Sequence, residues 1–382
     1  MKVFVLSGLL VFASGPVFAD TAESEADPRV DLGRALFFDS NLSLNRTQSC
    51  STCHDPAKGF ADGRDNGVGS AVSLGDDGKS LGDRNAPTAS YASFSPEFHL
   101  NAKGLYVGGQ FLDGREADLK GQAGGPPLNP LEMNMPDKAA VVERLKENPQ
   151  YVKKFTGIYG VDVFDDDEAA YMAMTDSIAS FEETDFFAPF DSKYDRYLRG
   201  EYEMTTQEDL GMTLFFSQQF SNCNLCHQLK KSSISEGETF SNYEYHNIGV
   251  PANSAVRAVN GTKPDHIDHG LLDNPDVSDV KQDGKFKVPT LRNVAVTGPY
   301  MHNGVFKDLR TVVLFYNKYN SRSSKRQINP ETGEKWATPE VAENLSLKEL
   351  ETGPALNDKR IDALVAFMKT LTDKRYEHLL QD

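Results

Sequence analysis

Residues 50–54 (CSTCH) and 223–227 (CNLCH) carry the strongest signal in this sequence of 382 residues. Two thiols about one helical turn apart can each add to a vinyl group of haem, and the adjacent histidine is then held beneath the iron. A thioredoxin-like redox pair would not need the histidine, and a zinc knuckle would need two further ligands near by. The motifs therefore predict two covalently bound haem c groups, attached through Cys50, Cys53, Cys223 and Cys226, with His54 and His227 as proximal iron ligands.

A short repeat precedes each motif. Residues 32–38 (LGRALFF) stand before the first motif and residues 210–216 (LGMTLFF) before the second, with apolar residues at helical spacing. Residues 61–136 are dense in Gly, Asn, Asp and Pro, which favours loops and short elements. We therefore predict a mainly α protein of two cytochrome c-like haem domains with long loops, at residues 20–190 and 191–382, connected through residues 187–200.

Residues 1–19 have the pattern of a secretory signal: Lys2 is the only charge, an apolar run spans residues 3–12, and residues 17–19 (VFA) offer small residues at the usual cleavage positions. The run is shorter than the ~20 residues that span a bilayer. We predict cleavage after Ala19 and export to the periplasm, with no membrane span after signal removal. A net charge of −16 argues against a nucleic-acid partner. The charge would suit a basic protein partner, or it would serve only to keep the protein soluble.

Further stretches resemble the bacterial di-haem cytochrome c peroxidases and their MauG-like relatives. This resemblance covers nearly the whole chain and implies that hydrogen peroxide is reduced at the first haem, with electrons passing from a protein donor through the second haem. The matching stretches are residues 84–88 (RNAPT), 111–115 (FLDGR), 119–123 (LKGQA), 125–126 (GP), 129–133 (NPLEM), 287–294 (KVPTLRNV) and 299–304 (PYMHNG).

The resemblance implies where the peroxide chemistry takes place. Breaking the O–O bond requires a group that moves a proton from the near oxygen to the far one. Glu132 stands where the family keeps this glutamate, and Gln122 would be its hydrogen-bonding partner on the same side of the haem. Some relatives block the first haem with a histidine from the loop after the first motif. This sequence has no histidine between His54 and His99, so we expect an open first haem at rest.

The second axial ligand of the second haem is also implied by the resemblance. Fourteen residues after His302, where the peroxidases have a methionine and MauG-like members a tyrosine, this sequence has Tyr316. An oxygen ligand favours higher oxidation states, whereas a thioether favours ferrous iron. If Tyr316 is instead an ordinary buried tyrosine beside Phe315, Met301 is the alternative ligand.

Relatives also hold a calcium ion between the haems, through an asparagine and two backbone carbonyl groups. By position these ligands would be Asn85, Thr297 and Pro299, and oxygen ligands are those that calcium prefers.

One departure from the family concerns electron transfer between the haems. Family members commonly carry a relay tryptophan before Asp-Gly-Arg, and this sequence has Leu112 there. A leucine cannot be oxidised, and the neighbouring Phe111 is a poor substitute. Trp336, the only tryptophan, lies in a polar loop, and we expect it to have a packing role.

Three functions are compatible with these patterns. The first is a periplasmic peroxidase that takes electrons from a donor such as a small c-type cytochrome. The second is a MauG-like enzyme that oxidatively modifies side chains of a partner protein. The third, from another class, is a non-enzymatic di-haem electron carrier with both irons six-coordinate. Either a monomer or a homodimer is compatible with the sequence.

Overall fold

The structure is a computed structural model that describes residues 27–263 and 265–380, so the predicted signal peptide lies outside the described residues. It is rich in helices with little sheet, as the sequence predicted. The helices are α1 Pro28–Phe37, α2 Cys50–Cys53, α3 Leu119–Ala123, α4 Lys138–Lys146, α5 Pro149–Tyr159, α6 Asp167–Glu182, α7 Lys193–Leu198, α8 Thr206–Phe216, α9 Ser254–Arg257, α10 Leu309–Asn320, α11 Leu347–Leu350 and α12 Asp358–Lys369.

The strands form two small antiparallel pairs. β1 (His99–Leu100) pairs with β2 (Tyr106–Val107), and β3 (Tyr245–His246) pairs with β4 (Phe286–Lys287). Long loops and 3₁₀ turns connect these elements. Among the described helices, none is both long and apolar enough to cross a membrane.

Local sequence signals determine where the longer helices begin. The side chain of Asp166 accepts a hydrogen bond from the backbone N–H of Glu168 and caps α6, whose first turn is acidic. A capping box between Thr205 and Glu208 starts α8. Both arrangements satisfy backbone N–H groups that have no partner inside the helix.

Each sequence repeat forms a helix that crosses a second helix at a glycine. Helix α1 packs against α6, and α8 packs against α12. A Cβ atom at Gly33 would lie 1.8 Å from the carbonyl oxygen of Ser177, and one at Gly211 would lie 1.9 Å from that of Ala363. In each half of the chain, two helices therefore approach each other closely at a glycine. This close approach explains why both repeats have glycine at their second position.

Two large hydrophobic cores fill the interior. The first extends from Leu32 to Phe187 and the second from Tyr194 to Leu371. Helix α7 belongs to the second core, since Tyr194 is fully buried in it. The predicted boundary between two domains at residue 190 stays a prediction. The two separate cores support it.

Candidate haem sites

The first motif lies on a short helix. Helix α2 contains Cys50 and Cys53, and a capping box between Ser49 and Thr52 fixes its start. His54 follows directly, and its Nδ1 lies 3.2 Å from the carbonyl oxygen of Phe60. Burial lowers the pKa of His54, so the imidazole is neutral. A neutral ring that donates from Nδ1 leaves the Nε2 lone pair for a metal.

The second motif repeats this arrangement on a 3₁₀ turn, Cys223–Leu225. The Nδ1 atom of His227 lies 3.0 Å from the carbonyl oxygen of Phe240, and burial lowers the pKa of His227 to about 4. Phe60 and Phe240 both adopt φ of 57°, so the carbonyl that orients each histidine comes from the same kind of turn. Both histidines thus have the geometry of an iron ligand oriented by a backbone oxygen.

All four cysteines are free thiols rather than disulfides. Burial raises the pKa of Cys53 to about 11 and also raises the pKa values of Cys50 and Cys223 above their ordinary range. Reduced thiols at this spacing beside a neutral histidine are what the attachment of haem c requires.

A cavity of about 350 Å³ adjoins the second motif. Cys223, Cys226 and His227 contribute to its lining, and so do Tyr316 from α10 and Met301. Tyr316 is only half-buried by surface area although it lies inside the protein, because part of its surface faces the cavity. Burial raises the pKa of its phenol above the usual value, so the group is protonated unless a metal binds it.

The residues around this cavity fit a haem. Its wall is mainly apolar, with a histidine and a phenol or thioether available as axial ligands. Two buried imidazole nitrogens of lining residues, Nε2 of His246 and of His302, lack a hydrogen-bond partner among the described residues. A buried polar nitrogen without a partner is costly, and a bound group that reaches these two atoms would remove that cost.

Glu132 lies within electrostatic range of the first motif, since its charge contributes to raising the pKa values of Cys50 and Cys53. Its Oε1 accepts a hydrogen bond of 2.8 Å from Asn129. Burial raises the pKa of the carboxyl, while the charge of Arg115 partly opposes this shift. These are properties of a half-buried acid–base group.

Gln122 lies in α3, close to its C-terminal end. Within the described part of the chain no direct hydrogen bond joins its side chain to Glu132, so their predicted partnership stays a prediction.

The three predicted calcium ligands, Asn85, Thr297 and Pro299, all line the cavity. The backbone N–H of Asn85 donates to the carbonyl oxygen of His302 at 2.7 Å, which connects the two halves of the chain. Leu112 also lines the cavity. The calcium site stays a prediction.

Sequence reasoning missed two features of the cavity. His246, in β3, lines it, although nothing near this residue in the sequence suggests a haem contact. Tyr91 lines it as well, and its hydroxyl donates to Asp373. Trp336, by contrast, packs against Phe306 and Phe315, in agreement with its predicted role.

Comparison with known proteins agrees with this geometry. A profile of the di-haem cytochrome c peroxidases matches residues 27–203. The methylamine utilization protein MauG of Paracoccus denitrificans (strain Pd 1222) is 54% identical over all of this chain and 98% of its own length. The chain belongs to the di-haem cytochrome c peroxidase family. The cytochrome c551 peroxidase of Nitrosomonas europaea is 31% identical over 94% of this chain and 83% of its own length.

Solved structures show the same relationship. The diheme peroxidase BthA from Burkholderia thailandensis E264 superimposes with a TM-score of 0.80 at 31% identity, covering 93% of this chain and 88% of that one. A MauG-like protein associated with microbial copper homeostasis gives a TM-score of 0.66 at 28% identity, covering 91% of this chain and 90% of that one. The resemblance inferred from the motifs is therefore confirmed, and the protein is a haem-dependent oxidoreductase of this di-haem peroxidase family. A non-enzymatic electron carrier has no support among these relatives.

Proposed function

We propose that this chain is a MauG-like di-haem enzyme of the periplasm, which uses oxidising equivalents from hydrogen peroxide to modify side chains of a partner protein. The observation that carries the proposal is Tyr316, which lines the same cavity as His227. The full-length similarity to a MauG protein favours this function over that of a peroxidase for small cytochromes.

The haems, attached at the two CxxCH motifs, would supply the peroxide-reducing iron at the first site and an electron-transfer iron at the second. His54 and His227 would hold these irons through Nε2, with their rings fixed by the carbonyl groups of Phe60 and Phe240. Tyr316 would offer its phenolic oxygen at the second site. An oxygen ligand stabilises oxidised iron and so disfavours electron entry from a small cytochrome.

Glu132 would handle the proton of the peroxide. Its Oε1 is engaged by Asn129, which leaves Oε2 to accept the proton from the near oxygen and deliver it to the far one. The raised pKa of this half-buried carboxyl brings it closer to neutral pH, where a group can both accept and donate a proton efficiently.

The resting electron paramagnetic resonance spectrum of the ferric holoprotein, before and after one equivalent of hydrogen peroxide, tests this proposal. We expect one high-spin and one low-spin iron, both altered by peroxide without prior reduction. Two low-spin irons that do not respond to peroxide would contradict an open first haem.

A second candidate function, reduction of peroxide with electrons from a small c-type cytochrome, is favoured by the similarity to cytochrome c551 peroxidase. Steady-state turnover with a reduced small cytochrome distinguishes the two functions. Rapid turnover would support the second candidate, whereas slow turnover accompanied by oxidation of an added protein substrate would support the first.

A further inference from the structure

Tyr91 lies at the junction of the two halves of the molecule. Its Oη donates a hydrogen bond of 2.5 Å to Oδ1 of Asp373, and Oδ2 of the same carboxylate accepts one of 2.8 Å from Asn293. Tyr91 is 1% exposed and Asp373 is fully buried. The phenol and its carboxylate partner are thus shielded from solvent.

Tyr91 and Asn293 occupy equivalent positions in the two halves. Each ends a related stretch, residues 87–91 (PTASY) and 289–293 (PTLRN). The second residue of each stretch is a threonine whose hydroxyl donates to a backbone carbonyl in the turn beside a proximal histidine. Both last residues have left-handed backbones, with φ of 60° at Tyr91 and 61° at Asn293.

This backbone conformation suits asparagine but not tyrosine. A left-handed conformation is sterically unfavourable for a bulky residue, and strained residues concentrate at functional sites. The side chain of Tyr91 is therefore retained at a conformational cost that asparagine, used in the other half, would largely avoid.

Tyr91 connects to the first haem site through its own backbone. The carbonyl oxygen of Phe60, which orients His54, also accepts a hydrogen bond of 3.2 Å from the N–H of Ala89, two residues before Tyr91. The N–H of Tyr91 donates to the carbonyl oxygen of Phe187, whose ring stacks on that of Phe60 at 4.4 Å.

Tyr91 connects to the second haem site through its ring. The guanidinium of Arg292 lies 5.4 Å from the centroid of the Tyr91 ring and 5.3 Å from that of Phe240, whose carbonyl orients His227. Tyr91 also lines the cavity at this site. An oxidisable ring is therefore linked, through neighbouring groups, to the surroundings of both proximal histidines.

We propose that Tyr91 is a redox-active residue that relays electrons between the two haem sites, a task that Leu112 cannot perform, with Asp373 as its proton acceptor. This inference rests on the proposed function, because peroxide supplies the oxidant.

The surroundings of Tyr91 favour loss of the proton together with the electron. The positive charge of Arg292 near the ring disfavours a cationic radical. Burial raises the pKa of Tyr91, so the phenol is protonated at rest, and it raises the pKa of Asp373, which makes that carboxylate a stronger base. The short hydrogen bond provides the path.

The relay is balanced in electrons and protons. Reduction of one hydrogen peroxide to two waters at the first haem consumes two electrons and two protons. In each relay step Tyr91 gives one electron to the oxidised first haem while its phenolic proton moves to Asp373, which leaves a neutral tyrosyl radical. One electron from the second haem would then reduce the radical while the proton returns to Oη, so that both side chains are restored. The second haem would take its replacement electron from the side chains of the partner protein that are oxidised.

Rapid-freeze electron paramagnetic resonance of the holoprotein after mixing with peroxide tests the relay. We expect a transient tyrosyl radical whose spectrum narrows when the protein is made with ring-deuterated tyrosine. Tyr91→Phe, which removes only the hydroxyl, should abolish this radical and slow the spectral response of the second haem. A solvent of D₂O should slow the same response in the unmodified protein, because a proton moves with the electron.

Tyr194→Phe is the matched control, because Tyr194 is also buried and also packs on Phe240, but its hydroxyl donates to the backbone carbonyl of Ser233 instead of a carboxylate. It should retain the radical. A radical that persists in Tyr91→Phe, or a second-haem response that is unchanged in this variant and in D₂O, overturns the relay. If the first haem responds to peroxide in such an experiment, the proposed function stands while the relay fails; if neither haem responds, both are overturned.

Discussion

Gly33 lies against the backbone of Ser177 where α1 crosses α6, so closely that a Cβ atom would sit 1.8 Å from the Ser177 carbonyl oxygen and 2.5 Å from its carbon. Backbone atoms cannot rotate away as a side chain can. The crossing therefore holds the helix before the first haem motif at a fixed distance from α6.

We expect Gly33→Ala to destabilise the protein by about 3 kcal/mol, because the two helices must separate to admit a methyl group. Gly157→Ala in α5 is the control: beyond its own helix backbone and chain neighbours, no atom lies within 4 Å of its added Cβ, and alanine should gain about 0.5–1 kcal/mol of helix stability there. Denaturant unfolding followed by circular dichroism measures both effects. Equal stability of the two variants would contradict the close crossing.

Glu132→Gln should slow the reaction of the first haem with hydrogen peroxide by about 10²–10⁴-fold, since glutamine keeps the shape but cannot transfer the proton. The exposed Glu143→Gln in α4 should leave the rate unchanged. Stopped-flow absorbance at the haem band, as a function of peroxide concentration, gives the rate constant.

The same reaction should depend on pH in a defined direction. Burial raises the pKa of Glu132 above its ordinary value of 4.5, and the carboxylate form is the one that accepts the proton. The rate should therefore increase as the pH rises through this elevated pKa and then level off. Glu132→Gln should lack this dependence, and an identical pH profile in both proteins would assign the proton transfer to another group.

Tyr316→Met should raise the reduction potential of the second haem, because a thioether favours ferrous iron more than a phenolic oxygen does. Turnover with a reduced small cytochrome should rise in parallel. Tyr319→Phe, on the same helix, is the control, since the Tyr319 hydroxyl bonds to the backbone oxygen of Ile248. If Tyr316→Phe leaves the low-spin spectrum unchanged, Met301 becomes the candidate ligand.

The haem motifs and the scaffold were predictable because their signals are local. The two CxxCH motifs, the repeat that forms α1 and α8, and the acidic start of α6 each occupy a few consecutive residues. Residues 187–200 were expected to be a connection only, but α7 lies there. Its capping box between Ser192 and Asp195 was a readable signal, and Tyr194 places the helix in the second core.

The junction between the halves had no local signal. Tyr91 and Asp373 are 282 positions apart, and neither belongs to a periodic pattern that would predict their contact. The similarity between residues 87–91 and residues 289–293 is visible in the sequence as two Pro-Thr stretches. Only the fold shows that the last residues of both stretches bond to the same carboxylate, that of Asp373. For Glu132, the sequence shows the position in a loop and the nearby Asn129 that bonds to it, whereas the burial that raises the pKa of the carboxyl comes from tertiary packing.

Asp268 should contribute to stability in a way that disappears in acid. Burial alone would raise the pKa of this carboxyl, but Arg84 outweighs it with hydrogen bonds of 2.7 and 2.6 Å and lowers the pKa to about 2, from an ordinary value of 3.8. Because the folded pKa is the lower one, the stabilisation is present above pH 4 and is lost as the pH falls towards 2.

We therefore expect Asp268→Asn to cost about 2 kcal/mol at neutral pH, and the difference from the unmodified protein to shrink as the pH falls from 4 to 2. The exposed Asp162→Asn should show neither effect. Denaturant unfolding at a series of pH values measures the difference. A cost that stays constant down to pH 2 would mean that Asp268 acts through packing and hydrogen-bond geometry, and that its charge contributes little to the bond with Arg84.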